Sequence, residues 1–195
     1  IYDAVGIERI TVTTYQAVSG SGTNAVNKLA KQTAELLNGR DAECDVYPKQ
    51  IAFNVLPHID VFMDNGYTRE EMKMCWETQK IFGDENIDVS ATCVRVPVFF
   101  GHSEAIQIET SDYIDEKQAR SLLEKAEGVT VIDERRDGGY PTPVHESAGS
   151  DPVFVGRIRK DISLKNGLNL WVVSDNVRKG AALNSIQIAE ELIKT

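Results

Sequence analysis

Residues 91–109 read ATCVRVPVFFGHSEAIQIE, and this stretch carries two strong strand signals. Apolar and β-branched residues dominate 91–100 and return at 104–109, and Gly101 and His102 connect the two runs. Pro97 lies inside the first run and has no backbone N–H to donate to a neighbouring strand. We therefore predict two strands here, the first of them at a sheet edge or interrupted by a bulge.

The rest of the chain alternates irregularly between strand and helix patterns. Further strands are predicted at 7–15, 129–132, 153–158 and 168–173. Helices are predicted at 23–37, 68–82, 116–127 and 178–193, where apolar residues recur with helical spacing. Residues 135–151 form a long polar segment of the length typical of arms and active-site flaps. Few β-α-β alternations occur, so the pattern favours an α+β domain, spanning 1–195, on a mixed, largely antiparallel sheet.

Composition narrows the classes of function. The 195 residues carry 21 Lys and Arg against 30 Asp and Glu, a net charge of −9 that disfavours binding to nucleic acid. No apolar run approaches the roughly 20 residues that span a bilayer, so no membrane partner is expected. Three cysteines without a CxxC motif predict neither a disulfide framework nor a metal site, and fit a reducing cytoplasm. Because the chain starts with Ile1 rather than Met, we expect it to be a piece of a longer protein.

Two side chains in and after the first strand are candidates for chemistry. His102 follows a strand at a turn, where an imidazole titrating near neutrality suits acid–base catalysis, although surface turns also often carry histidine. Arg95 lies in an otherwise apolar strand and must find an anion, because a guanidinium keeps its charge. That anion is either a carboxylate of the protein or a carboxylate of a substrate.

Three polar segments elsewhere are weaker candidates. Glu70 and Lys73 share a face of the 68–82 helix, either as a solvated pair or as ligands for an amine and a phosphate. The Gly-rich loop 16–22 lacks the spacing of a dinucleotide fingerprint and is either a tight connection or a place of close approach to a ligand. Asp175 and Asn176 precede the last helix, where N-capping is the simple interpretation.

Taken together, these segments resemble the carboxyl-terminal part of bacterial aspartate-semialdehyde dehydrogenases. The matching stretches are TTYQAVSGSG (13–22), QIAFNVLPHID (50–60), TREEMKMCWETQKIFG (68–83), CVRVPVFFGHSEA (93–105), VIDERRDGGYPTPV (131–144) and LWVVSDNVRKGAALNSIQIAE (170–190). The resemblance covers essentially the whole chain. It implies an α+β catalytic and dimerisation domain like that of glyceraldehyde-3-phosphate dehydrogenase-like enzymes, with helices covering one face of its sheet.

The resemblance also implies a reaction and residue roles. In this family, NADPH reduces L-aspartyl-4-phosphate to L-aspartate 4-semialdehyde with release of phosphate, for lysine, methionine and threonine synthesis. By matching motif, His102 is the general acid/base, and Gln16 orients the substrate at the reacting carbon. Arg95 clamps the substrate carboxylate, Glu70 binds the amino group and Lys73 meets the phosphate.

The cofactor and the dimer follow from the same resemblance. Ser19, Gly20 and Asn176 are implied to approach the nicotinamide end of NADP, which a separate amino-terminal domain would mainly hold. The family forms homodimers by packing the sheets of two such domains face to face, with 135–151 reaching across.

One feature departs from the family pattern. The nucleophilic cysteine of the family lies in an Asn-Cys-Ser/Thr tripeptide, and none of Cys44, Cys75 and Cys93 lies in such a motif. We therefore expect the chain to start after the nucleophile and to be inactive alone. The alternatives are a non-catalytic dimerisation or scaffold paralogue, and a reductase acting on N-acetylglutamyl phosphate, which the pairing of Glu70 with Arg95 disfavours.

Overall fold

The computed structural model describes residues 1–194 as an α+β arrangement. The helices are α1 (Tyr2–Val5), α2 (Thr23–Leu37), α3 (Arg69–Phe82), α4 (Glu116–Lys125) and α5 (Leu183–Lys194). The strands are β1 (Arg9–Gln16), β2 (Asp88–Arg95), β3 (His102–Glu109), β4 (Val129–Val131), β5 (Val153–Lys160) and β6 (Gly167–Ser174). Shorter helical turns lie at Val18–Ser21, Pro143–Ser147 and Arg178–Ala182.

The six strands form one sheet in the order β2-β1-β3-β6-β5-β4. The β1–β2 and β4–β5 pairs are parallel, whereas β1–β3, β3–β6 and β5–β6 are antiparallel. The predicted α+β class with a mixed, largely antiparallel sheet is therefore confirmed. The edge position predicted as one option for the strand containing Cys93 and Arg95 is also confirmed, since β2 is at one end of the strand order. On its outer side, an isolated bridge joins Arg95 to Leu56.

One face of the sheet carries the larger of two hydrophobic clusters, and the smaller one packs around α2. Alternate residues of β3 and β6, among them Ile108, Leu168 and Leu170, pack with Ala119 of α4 and with the partly buried Leu123. Helix α3 packs on the same face against β2, where Cys75 donates from Sγ to the carbonyl of Val89 at 3.3 Å. The predicted cover of helices on one face is thus confirmed, and α3 and α4 provide it.

The start of α3 shows how sequence sets local structure near the site. Thr68 accepts the N–H of Glu71 on its hydroxyl at 3.3 Å, and the Glu71 carboxylate accepts the N–H of Thr68 at 2.8 Å. This capping box, which the spacing of Thr68 and Glu71 predicts, satisfies two amides that a helix start would otherwise leave unpaired.

Several boundaries differ from prediction, and two of them differ by five residues. The strand predicted at 91–100 ends at Arg95, because β1 turns away after Gln16 and Pro97 has no N–H; residues 98 and 99 still accept hydrogen bonds from Val18 and Ser19. The helix predicted at 178–193 begins with a π-helical turn, and none of the residues of α5 is buried.

Candidate functional site

The sheet topology brings four chain segments to one end of the sheet. Gln16 ends β1 and is in register with Arg95, which ends the parallel strand β2. His102 begins the antiparallel strand β3 and is in register with Ser174, which ends β6. The polar residues predicted from four separate stretches of sequence therefore meet at this end of the sheet.

Ala17 links two of them through its backbone. Its N–H donates to Nδ1 of His102 at 3.1 Å, and its carbonyl accepts from Nη1 of Arg95 at 2.8 Å. Ala17 is fully buried, so both bonds are shielded from water. One peptide position just after β1 therefore orients the imidazole and the guanidinium together.

The environment of His102 defines its protonation state. Burial lowers the pKa of His102 to about 4, and the nearby Arg95 adds to this effect against the opposing influence of Glu70 and Asp175. The ring is therefore neutral at pH 7. Because Nδ1 accepts the Ala17 N–H, the single proton lies on Nε2, whose edge of the ring lies beside Gly20. In this state Nε2 is a hydrogen-bond donor to whatever occupies the site.

Arg95 is a buried cation with bonding capacity left over. Its side chain is 5% exposed, and Nε has no hydrogen-bond partner among residues 1–194. Desolvation lowers the pKa of Arg95, but a guanidinium remains protonated near neutrality. An unpaired donor on a buried guanidinium is costly unless an anion satisfies it, and a carboxylate has the matching geometry.

Glu70 and Lys73 lie on the first turns of α3 and face the strand ends. Glu70 accepts from Nε2 of Gln16 at 3.2 Å and pairs with Lys73 at 3.2 Å. Hydrogen bonding to Glu70 raises the pKa of Lys73, which stays a cation. The predicted pairing of Glu70 with Lys73 is present, and through Gln16 it is joined to the site rather than isolated on the surface.

Ser19, Gly20 and Asn176 form the opposite rim. The Asn176 Oδ1 accepts from the Ser19 hydroxyl at 3.1 Å and from the N–H of Gly101 at 3.0 Å. A Cβ on Gly20 would lie 3.0 Å from Nη1 of Arg95 and 3.5 Å from Nε2 of His102. Glycine at this position lets the backbone approach both side chains closely.

Asp175 fixes the position of this rim through hydrogen bonds from main-chain N–H groups. One carboxylate oxygen accepts the N–H groups of Val177 and Arg178 at 2.8 Å each, and the other accepts the Gly149 N–H at 2.6 Å. The N-cap of the turn at Arg178–Ala182 is Val177, so the N-capping interpretation of Asp175 is wrong. The Asp175 carboxylate instead bonds to main-chain N–H groups where the turn begins and also fastens the end of the 135–151 segment. Pro143 and Ser147 of that segment pack directly against Gly101, the residue before His102.

The cysteines do not supply a reactive thiol at this edge. Cys93 lies on β2 and is fully buried, and burial raises its pKa to about 11. Burial also raises the pKa of Cys75, and Cys44 is exposed on another part of the surface. A thiol nucleophile needs a lowered pKa, so neither Cys75 nor Cys93 has the environment of one.

Within residues 1–194, no group of three or more His, Cys, Asp or Glu side chains is arranged to hold a metal ion. In the same described part of the chain, no helix combines the length and apolarity needed to cross a bilayer.

Every site residue predicted from the sequence lies at this end of the sheet. The sequence predicts neither the role of Ala17 in the site nor the contact of Asp175 with Gly149. Ala17 acts only through its main chain, which leaves no residue-type signal except its place between a strand and a Gly-rich loop. The second contact of Asp175 depends on a residue 26 positions away.

Comparison with known proteins defines the class to which this fold and site belong. A family model described as "Semialdehyde dehydrogenase, dimerisation domain" matches residues 1–179, and the chain belongs to this family. Its relatives include the aspartate-semialdehyde dehydrogenases of Shewanella violacea, 63% identical over 194 residues, and Bacillus subtilis, 49% identical over 202 residues. All of this chain is covered in both, but it spans only 57% and 58% of their lengths.

Solved structures of aspartate semialdehyde dehydrogenases share the fold of this chain. Aspartate semialdehyde dehydrogenase II of Vibrio cholerae, complexed with ASA, matches 99% of this chain and 56% of its own with a TM-score of 0.95 and 58% identity. The NADP-bound aspartate semialdehyde dehydrogenase of Candida albicans matches 97% of this chain and 51% of its own, with a TM-score of 0.68 and 26% identity.

Proposed function

We propose that the enzyme containing this chain is an NADP-dependent aspartate-semialdehyde dehydrogenase, which reduces L-aspartyl-4-phosphate to L-aspartate 4-semialdehyde and phosphate. The observation that carries the proposal is the meeting of Arg95, Glu70, Lys73 and His102 at one end of the sheet, which brings two cations, one carboxylate and an imidazole to the same part of the domain. The family membership and the semialdehyde dehydrogenase relatives support it.

The charges match the three polar groups of such a substrate. Arg95, with an unpaired Nε, would hold the substrate carboxylate. Glu70 would accept the amino group, and Lys73 would meet the phosphate. Gln16 contacts Glu70 from the end of β1 and would orient the reacting carbon. Fixing three points of a small molecule restricts it to one reactive orientation.

His102 would act on the substrate through its Nε2–H group. In its neutral form Nε2 carries hydrogen, so it would donate a hydrogen bond to a thiolate or to a developing oxyanion without giving up the proton. The reacting thiol is proposed to lie in a part of the enzyme beyond this chain, since the environments of Cys75 and Cys93 raise their pKa values. This chain alone is therefore proposed to be inactive.

The rim fits the amide end of a nicotinamide. Gly20 has no side chain to obstruct a flat ring, and Asn176 and Ser19 present polar atoms beside it. When bound, the nicotinamide supplies the hydride for the reduction. Ser19, Gly20 and Asn176 are proposed to hold it there, with the rest of NADP bound elsewhere in the enzyme.

The uncovered face of the sheet supports a homodimer. Tyr15 and Trp171 contact one another on this face in a tilted arrangement, with ring centroids 5.7 Å apart, and both are only partly buried. Trp171 also donates to the carbonyl of Pro141, which places the 135–151 segment along the same face. We propose that a second copy of the chain covers this face of the sheet. We also propose that the enzyme acts in the cytoplasm, where the three free cysteines stay reduced. Its product would feed lysine, methionine and threonine synthesis.

Activity of the complete enzyme tests the proposal. Phosphate-dependent reduction of NADP⁺ by aspartate semialdehyde should be measurable, and His102→Asn should lower turnover by roughly 10² to 10³, the usual cost of removing a hydrogen-bond donor to a developing oxyanion. Asn is the suitable replacement because its Oδ1 can still accept the Ala17 N–H. Undiminished turnover in His102→Asn would remove this residue from the mechanism. No turnover by the complete wild-type protein would favour a non-catalytic paralogue, and equal use of N-acetylglutamate semialdehyde would refute the substrate assignment.

A further inference from the structure

Glu71 is a buried carboxylate that the proposed reaction does not use. It follows Glu70 on α3, is 9% exposed, and points away from the substrate groups toward the edge of the sheet. A buried carboxylate is costly unless hydrogen bonds satisfy it. Its two oxygens have separate partners, so the residue joins two parts of the fold.

The first partner is local and the second is not. Oε2 accepts the N–H of Thr68 at 2.8 Å, which completes the capping box of α3. Oε1 accepts the N–H of Cys93 at 3.1 Å, and Cys93 belongs to β2. Because β2 is an edge strand, this amide faces away from β1 and has no neighbouring strand to accept it. A helix-capping side chain thus satisfies a free amide of the sheet edge.

This link lies between the two halves of the substrate site. Cys93 is two residues before Arg95 on the same strand, whereas Glu71 adjoins Glu70 and is one turn or less from Lys73. Further along α3, the thiol of Cys75 bonds to the carbonyl of Val89, so two side chains of the helix hydrogen-bond to the strand. The first contact, from Glu71, is the one nearest the site.

We propose that Glu71 is a positioning residue, whose bonds to Thr68 and Cys93 set the distance between the Glu70–Lys73 turn and Arg95. The inference rests on the proposed function, because it assigns these three groups to one substrate. A substrate held at its amine and its carboxylate is sensitive to that distance, so loosening α3 from β2 should weaken its binding more than it slows the chemistry.

The test compares Glu71→Gln and Glu71→Ala with Thr68→Ala in the complete enzyme. The two N–H groups bond to different oxygens of Glu71, and Glu71→Gln replaces one of these oxygens with an NH2 group that cannot accept. Glu71→Gln should therefore raise the KM for aspartate semialdehyde roughly tenfold, and Glu71→Ala more, with kcat changed less than KM. Thr68→Ala weakens the helix cap but leaves both acceptors of Glu71 in place. It should lower the melting temperature with KM within about twofold of wild type.

Amide hydrogen exchange at Cys93 supplies a readout that does not depend on activity. Exchange should become roughly tenfold faster in Glu71→Gln and stay as in wild type in Thr68→Ala. Unchanged exchange in Glu71→Ala, or a KM equal to that of Thr68→Ala, would overturn the inference. If the wild-type enzyme did not turn over the semialdehyde, the proposed function would fail and the positioning role with it, whereas the exchange result would still decide whether the link itself exists.

Discussion

The depressed pKa of His102 predicts a specific loss of stability in acid. The folded-state pKa is about 4, whereas an unfolded histidine titrates near 6.5. Between these values the unfolded chain binds a proton that the folded chain does not, so unfolding becomes easier as the pH falls. The contribution of neutral His102 to the free energy of unfolding is fully present above pH 6.5 and is lost progressively toward pH 4.

The size of the effect follows from the two pKa values. Linkage gives a loss of about 2 kcal/mol at pH 5 and almost none at pH 7 from this one side chain. His102→Asn cannot take up a proton but can still accept the Ala17 N–H. The stability difference between pH 7 and pH 5 should therefore be about 2 kcal/mol smaller in His102→Asn than in wild type.

Urea unfolding followed by circular dichroism at the two pH values measures this difference, because carboxylates that titrate in the same range cancel between the variants. His145→Asn, at an exposed histidine outside the site, is the matched control and should behave as wild type. Equal acid losses in wild type and His102→Asn would show that His102 is not held neutral by its surroundings.

Two further substitutions test how the site is built. Arg95→Lys should raise the KM for aspartate semialdehyde nearly as much as Arg95→Ala in steady-state assays, because an ammonium cannot reproduce the bidentate geometry; free substitution by Lys would remove the clamp role. Gly20→Ala should also raise this KM, because its Cβ would lie 3.0 Å from Nη1 of Arg95, while the melting temperature changes little. An unchanged KM in Gly20→Ala would mean that the guanidinium can move aside without loss.

Local signals in the sequence predicted much of the fold. The capping box at Thr68 and Glu71 locates the start of α3, and Pro97 indicates an edge strand, because both effects act within a few residues. The placement of β1 between β2 and β3 is not readable from 91–109, although those two strands follow one another in the chain. That order depends on pairing with a distant segment.

The same limit applies to the site. Residue type and strand context single out Arg95 and His102 as candidates, but the bonds that orient them come from the backbone of Ala17. The apolar stripe of α5 shows a further limit, since an amphipathic pattern predicts that a face is to be covered without indicating what covers it.

The structure of the complete enzyme bound to aspartate semialdehyde would test the central claim most directly. We predict that the ligand carboxylate pairs with the guanidinium of Arg95, including the Nε that has no partner within residues 1–194, and that its amine contacts Glu70. A ligand held elsewhere, with the Arg95 guanidinium still bonded to the carbonyl of Ala17 and its Nε still without a partner, would contradict this prediction.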